Sequence, residues 1–233
     1  MRTVTNLDCS RRPQWSRLLL QQVSPHLQEL QMTNAEEEHL ALVRDMPALL
    51  RLQLDVRCIG SQSLADLPPP PQLQELRLLS ATPQHLLSLQ CLPRLRKLSL
   101  WIQHDKMSDL VPPAVPEDHC GLQSLTVCVH PRATIMALIK AHGSTLRELQ
   151  LCVSTYYDNV VHYVRDLHLE LARCGLRSLQ RLVLRRQCGG KLSHGDSRCR
   201  EQKKKIWDQL MEMDSAAGRI RTVTVLCSVC DEC

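Results

Sequence analysis

The stretch Leu146-Arg147-Glu148-Leu149-Gln150-Leu151 contains the pattern that recurs along the whole chain. Its core, Leu-x-x-Leu-x-aliphatic, with Met in one copy, begins at residues 27, 49, 73, 95, 122, 146 and 179. Successive starts are 22, 24, 22, 27, 24 and 33 residues apart, and six of the seven copies have Gln or Arg directly after the first Leu. Because the copies recur at similar spacing and most have Gln or Arg at the same position, they indicate one repeated structural unit.

Each copy is typical of a short strand with one buried face. Its fourth and sixth positions are aliphatic and alternate with other residues, as the two-residue period of a strand requires. One such unit cannot bury its own apolar side, so neighbouring units must stack. The expected fold class is therefore α/β, with parallel strands on one face and irregular helices and turns on the other.

The repeats resemble those of leucine-rich repeat proteins over nearly the whole chain. This resemblance implies a curved, horseshoe-shaped solenoid of about eight or nine units, whose parallel strands line the concave face. One position departs from the family's usual pattern. Three residues after the sixth-position aliphatic, where Asn or Cys is expected, the chain has Ala35, Arg57, Ala81, Gln103, His130, Ser154 and Gln187.

Irregular units of this kind resemble the substrate-binding half of F-box proteins. The phrases that carry this likeness are Ser-Pro-His-Leu-Gln-Glu-Leu at residues 24–30 and Met-Pro-Ala-Leu-Leu-Arg-Leu-Gln-Leu at residues 46–54. The resemblance implies a receptor that holds a target protein and connects it, through an adaptor, to a cullin–RING ubiquitin ligase. No F-box is visible, because a strand is expected at residue 1. The alternative is a free-standing scaffold or inhibitor that binds one protein partner without recruiting a ligase.

The repeat array is expected to span residues 1–226, with a Cys-containing tail at residues 227–233. Its first strand, at residues 1–8, resembles residues 220–226, where the last strand is expected. Helices are predicted at residues 14–23, 35–46, 83–91, 131–141, 159–174 and 206–213. Asn34 is the predicted N-cap of the second helix, and Ile206, Leu210 and Met213 are expected to face inward in the last. Residues 186–205, rich in Gly, Ser, Lys and Arg, are predicted to form a mobile loop. Pro68–Pro71 should run extended, and residues 103–121 should form a surface loop.

Composition argues against two classes of partner. A net charge of +5, from 29 basic and 24 acidic residues, lacks the concentrated basic surface of a nucleic-acid binder. Three Trp, three Tyr and no Phe provide few platforms on which bases could stack. No apolar run is long enough to span a membrane, and the N-terminus has no signal-peptide core. We therefore expect a cytoplasmic or nuclear protein with reduced thiols, whose single Cys residues act as small hydrophobes.

The candidate binding surface consists of the strand residues that alternate with the buried aliphatics. Trp101, flanked by Arg77 and Lys97, is its predicted centre, because Trp and Arg often anchor protein interfaces. The alternative is a solvated sheet face with Trp101 partly packed. The residues predicted to contact a protein target are Glu29, Arg51, Asp55, Glu75, Arg77, Lys97, Trp101, Glu148, Arg181 and Arg185.

One compact chemical motif is Cys227-x-x-Cys230-x-x-Cys233. A zinc site would need a fourth ligand, for which the candidates are Cys188, His194 and Cys199. Three Cys residues in a tail are insufficient evidence, so the sequence assigns no metal ligand and no cofactor. The alternatives are a reduced tail, a hydrophobic cap or a disulfide cap. We find no zinc-protease, phosphate-loop or serine-hydrolase motif, and we expect a protein that is not an enzyme.

Overall fold

A computed structural model of the chain describes residues 1–55, 69–79, 92–101, 119–128, 132–155, 164–186, 194–216 and 223–231. The chain divides into two compact units, Met1–Leu122 and Gln123–Cys233. The strands in the described residues are β1 (Thr3–Asp8), β2 (Glu29–Thr33), β3 (Arg51–Asp55), β4 (Glu75–Leu79), β5 (Lys97–Trp101), β6 (Ser124–Cys128), β7 (Glu148–Cys152), β8 (Arg181–Arg185) and β9 (Thr224–Cys227). The α-helices are α1 (Pro13–Val23), α2 (Glu37–Arg44), α3 (Arg132–Ala141), α4 (Leu167–Ala172) and α5 (Asp196–Ala216), and Ser24–His26 form a 3-10 turn.

In the first unit, β1 to β5 pair in parallel and in chain order. Equivalent positions of the repeats lie opposite one another, so that Leu30, Leu52, Leu76 and Leu98 form one buried row. The sixth-position residues form a second buried row, which consists of Met32, Leu54, Leu78 and Leu100. Only the β1–β2 pair has an irregular register, between Val4 and Leu7. The core of this unit therefore repeats one side-chain layer from strand to strand.

In the second unit, β6 to β9 also pair in parallel and in chain order. Leu125, Leu149 and Leu182 lie opposite one another and are fully buried. All seven repeats quoted from the sequence thus contain a parallel strand whose fourth and sixth aliphatic residues are buried, as predicted. At the end of the chain, β9 continues to Cys227, one residue beyond the predicted strand, and residues 220–222 lie outside the described ones.

The first helices begin and end near their predicted boundaries. Helix α1 starts at Pro13 and is followed by the Ser24–His26 turn, and α3 ends at Ala141, as expected. Asn34 is not the N-cap of α2, however, because the capping residue is Glu36. Asn34 instead has a φ of 53°, a left-handed conformation that Asn tolerates. Its side-chain amide donates a hydrogen bond to Asp8, 3.0 Å away.

The segment predicted to be a mobile loop at residues 186–205 is helical in its second half. Helix α5 begins at Asp196, so residues 196–205 belong to the helix that was predicted to start at residue 206. The charges that suggested a loop form solvent-facing ion pairs one turn apart, Lys205 with Glu201 and Lys204 with Asp208. Met213, predicted to face inward, is 37% exposed, whereas Ile206 and Leu210 are buried as expected.

Several expected segments lie outside the described residues. These are the predicted helix at 83–91, most of the predicted loop at 103–121, Pro68 of the extended segment, the first part of the predicted helix at 159–174, and residues 187–193 of the predicted mobile loop. Of the described residues of the predicted helix at 159–174, only those of α4 are helical. Gly175 follows it with a φ of 63°, the left-handed conformation common after a helix end. None of the described helices is both long and apolar enough to cross a membrane.

Four cysteines of the repeats test the expectation of reduced, apolar thiols. Cys9 and Cys174 are buried, and burial raises the pKa of each thiol to about 11, so both behave as small apolar side chains, as predicted. The expectation of reduced thiols is wrong for Cys128 and Cys152, which form a disulfide with Cα atoms 4.9 Å apart. They end neighbouring strands β6 and β7, at the same position of successive repeats, which places their side chains together.

A buried polar network joins α1 to α2. His39 is fully buried, and its Nε2 lies 2.7 Å from the Ser16 hydroxyl. Its Nδ1 accepts a hydrogen bond from the Glu36 backbone N–H at 3.2 Å, so Nε2 carries the ring proton and donates to Ser16. Ser16 in turn donates to the Pro13 carbonyl at 2.9 Å. Burial lowers the pKa of His39 below its ordinary value, and the neutral ring is the form that fits this network.

We expect the stability of the chain to depend on pH through His39. Because the pKa of His39 is lower in the folded state, the unfolded state binds the proton first as the pH falls. The stabilising effect of this neutral ring is fully present above about pH 6.5 and is lost at lower pH, by no more than about 1.4 kcal/mol per pH unit. Urea unfolding between pH 5 and pH 8 measures this slope. His39→Gln should flatten it, whereas replacement of the exposed His26 by Gln should leave it unchanged; equal slopes in the two variants would contradict the assignment.

Candidate functional site

The first candidate site is the set of strand residues that alternate with the buried aliphatics, which we call the strand face. In the first unit its side chains are exposed or half-buried at every position of β2 to β5 except Asp55. Asp55, one of the predicted contact residues, is only 5% exposed, so little of its side chain is accessible to a partner. Strand alternation places Asp55 on the same side as Arg51 and Gln53, so its burial is due to its surroundings and not to its position in the strand.

Charges alternate along one row of the strand face. The parallel register places Glu29 opposite Arg51, Arg51 opposite Glu75, and Glu75 opposite Lys97. Arg51 Nη2 lies 2.9 Å from Glu29 Oε2, and Lys97 Nζ lies 3.0 Å from Glu75 Oε1. Because these pairs are exposed, each contributes little to stability. Their main effect is to leave the row nearly neutral, with both signs of charge available to a partner.

Arg77 and Trp101 form the most distinctive contact on the strand face. The guanidinium carbon of Arg77 lies 5.9 Å from the centroid of the Trp101 ring, within the range of a cation–π interaction. Arg77 is exposed and forms no ion pair with any carboxylate in the described part of the chain. Trp101 is half-buried. Two residue types that are frequent at interface centres therefore lie together, as the sequence predicted.

The second unit presents a different strand face. Glu148 is exposed, and Arg181 and Arg185 are half-buried. Four other strand-face residues of this unit, Thr126, Cys128, Cys152 and Val183, are buried. Glu148 lies directly opposite Arg181 in the parallel register, whereas Arg185 lies beyond the buried Val183, and the continuous polar strand face belongs to residues 1–122.

The second candidate site is a cluster of His194, Cys199, Cys227 and Cys230 in the second unit. One ligand atom from each residue lies within 4.8 Å of every other. His194 Nε2 is 3.6 Å from Cys227 Sγ and 3.2 Å from Cys230 Sγ, and Cys230 Sγ is 4.0 Å from Cys199 Sγ. Two of the three fourth-ligand candidates from the sequence, His194 and Cys199, therefore join the C-terminal pair. Cys188 and Cys233 lie outside the described residues.

Local structure explains why these four residues meet. His194 precedes α5 and Cys199 lies in its first turn, while Cys227 ends β9 and Cys230 follows in the next turn. Asp231 holds that turn against α5, because it accepts a hydrogen bond from the Cys227 N–H at 2.6 Å and pairs with Lys203 Nζ at 2.7 Å. The hydrogen bond from Lys203 lowers the pKa of Asp231, so the carboxylate stays charged.

The thiols of the cluster differ in their electrostatics. Burial raises the pKa of Cys199 to about 12. Burial also opposes ionisation of Cys227, but hydrogen bonds from the backbone N–H groups of Cys230 and Val229 and from the side chains of Cys199 and Arg186 together outweigh it and lower the pKa of that thiol. The Val229 N–H lies 3.4 Å from Cys227 Sγ. Backbone N–H groups directed at a sulfur stabilise its thiolate form, which is the form that binds metals.

Arg186, which no motif in the sequence indicated, is a buried charge next to the cluster. It is 1% exposed, and its Nη2 lies 3.6 Å from Cys199 Sγ. Its guanidinium also donates to the Val153 carbonyl at 2.8 Å and to Gln202 Oε1 at 2.6 Å. Its burial could have been predicted from its position, because successive side chains of a strand point to opposite sides and Arg185 is on the strand face.

No protein-family model matches the chain, and no curated protein is significantly similar to it.

Proposed function

We propose that the chain is a protein-binding module of the leucine-rich repeat type, which holds a target protein on the strand face of residues 1–122. The observation that carries this proposal is the exposed Arg77 stacked on Trp101 beside Lys97. Alternating charges on the adjacent row supply polar contacts around that centre. A central aromatic and Arg with a polar surround is the usual composition of a protein interface.

The more specific form of the proposal is a substrate receptor for a ubiquitin ligase, by resemblance to the repeat half of F-box proteins. In that case the bound target is delivered to a cullin–RING ligase through an adaptor. The rival form is a scaffold or inhibitor that binds one partner and recruits no ligase. Both forms use the same strand face and differ in what else assembles with the chain.

Affinity purification of the tagged chain from its own cells, followed by mass spectrometry, distinguishes the two forms. Recovery of a cullin and its F-box adaptor together with a target supports the receptor form. Recovery of one stable partner without ligase subunits supports the scaffold form. The recovered target, prepared as a pure protein, then serves as the ligand for measurements of affinity.

Replacing Arg77, Lys97 and Trp101 together with Ala is expected to weaken target binding by more than about 30-fold. One interface anchor contributes about 2 kcal/mol, and this variant removes the predicted centre of the interface. A matched control replaces Arg11, Arg12 and Trp15 with Ala. It also removes two cations and one Trp from exposed positions of the same unit.

Calorimetric titration measures both variants against the same target. Circular dichroism first establishes that each variant is folded. Loss of affinity in the first variant alone supports the strand face as the binding surface. Equal affinities in the two variants would place the interface elsewhere on the chain.

A further inference from the structure

We propose that His194, Cys199, Cys227 and Cys230 bind one Zn²⁺ ion as a structural site that fastens the start of α5 to the end of β9. The claim is independent of the proposed protein-binding surface, because all four residues lie in the other unit. Three Cys and one His form a donor set that is common in structural zinc sites.

The distances fit a tetrahedral ion. Zinc bonds of about 2.3 Å to sulfur and about 2.0–2.1 Å to nitrogen place neighbouring ligand atoms about 3.5–3.8 Å apart. Three pairs, His194–Cys230, His194–Cys227 and Cys199–Cys230, are 3.2, 3.6 and 4.0 Å apart, and the remaining pairs of ligand atoms lie within 4.8 Å. Small side-chain movements therefore suffice to surround an ion. With four protein ligands the site is closed and has no position for a substrate.

The surroundings of the ligands also suit a metal. A ligating His usually directs its second ring nitrogen at a carboxylate or carbonyl group, which fixes the ring orientation. Here Nε2 of His194 faces the sulfurs, while Nδ1 lies 3.4 Å from Asp196 Oδ1. The Gly195 N–H donates to the Thr155 hydroxyl at 3.0 Å and so holds the residue next to His194 in place.

An independent observation comes from Arg186. Its side chain is fully buried beside Cys199, and its Nε has no hydrogen-bond partner in the described structure. The described part of the chain provides no carboxylate paired with this guanidinium. A buried charge without a counter-charge is costly. Zn²⁺ with three thiolates and a neutral His carries one net negative charge, which would balance Arg186.

The test uses the full chain, purified under reducing conditions and freed of metal with a chelator. Titration with Co²⁺ alone should give the visible absorption bands of a tetrahedral, thiolate-bound ion, saturating at one ion per chain. Zn²⁺ should then abolish the bands, because thiolate-rich sites favour it. In a thermal scan, Zn²⁺ should raise the Tm of the metal-free chain, because it binds the folded state.

Cys230→Ser is the decisive variant, because Cys230 is exposed and its replacement should leave the metal-free fold intact. It should lose the Co²⁺ thiolate bands and the zinc-dependent rise in Tm. Cys120→Ser removes another exposed free thiol and should bind as the parent does. Cys233→Ser should also bind normally, since the four assigned ligands already complete the site. Asp196→Asn should weaken Co²⁺ binding by roughly 10-fold through its effect on His194.

Three results would overturn the proposal. One is a Co²⁺ spectrum without thiolate bands. Another is equal binding by the Cys230→Ser and Cys120→Ser variants. The third is detection, by mass spectrometry of the alkylated protein isolated from cells, of a metal-free chain in which cluster cysteines are joined as a disulfide.

Discussion

Leu149→Ala is expected to lower the free energy of unfolding by about 2–5 kcal/mol. Leu149 lies in the middle of the repeat core of the second unit, fully buried between Leu125 and Leu182. The substitution removes apolar contacts and leaves a cavity that neighbouring strands, held in register, cannot close. Because domains are stable by only about 5–15 kcal/mol, this loss is a large fraction of the total stability.

Equilibrium unfolding in urea, followed by circular dichroism, measures this loss. The control is Glu148→Ala, which changes the preceding residue on the exposed side of the same strand. Its effect should stay within about 0.5 kcal/mol, as for most surface substitutions. Similar losses in both variants would mean that the alternation of buried and exposed sides does not hold in β7.

Arg186→Ala is expected to destabilise the chain by about 2–4 kcal/mol. The substitution empties a buried volume and removes the donors to the Val153 carbonyl and to Gln202. Val153 is itself buried, so its carbonyl loses a hydrogen bond that water does not readily replace. The unsatisfied carbonyl lowers the stability of the folded state. Deleting the buried positive charge partly offsets this loss, because the variant no longer has to remove that charge from water.

Arg177→Ala is the matched control for Arg186→Ala. Arg177 is an exposed residue of the same unit, and its loss should be nearly neutral. Thermal unfolding of both variants in the presence of a chelator separates this effect from metal binding. A destabilisation of less than about 0.5 kcal/mol in Arg186→Ala would mean that the buried guanidinium contributes nothing net to the fold.

The sequence was most informative where side-chain period alone determines structure. The spacing of Leu146, Leu149 and Leu151, and its six counterparts, predicted seven strands and their buried residues correctly. It also identified Arg77 and Trp101 as neighbours, because residues two strand positions apart share a face and adjacent repeats lie in register. These are local rules that require no knowledge of how distant segments pack.

The remaining features depend on contacts between distant segments. The charged stretch before Ile206 was interpreted as a loop, although its charges occupy the outer side of α5. With this stretch interpreted as a loop, the sequence offered His194 and Cys199 only as alternative fourth ligands and could not fix their positions. Asp55 and Arg186 are polar residues whose burial depends on neighbours that composition does not reveal. The Cys128–Cys152 disulfide could have been predicted from the sequence, because both residues occupy the same position of successive repeats.

The constant strand register also determines where this chain accommodates changes in length. Successive repeats begin between 22 and 33 residues apart, yet within each unit Leu still lies opposite Leu. Residues added between strands leave that alignment intact. One residue added inside a strand would exchange its buried and exposed sides. Over evolutionary time, insertions and deletions should therefore accumulate between the strands, while each five-residue strand keeps a fixed length.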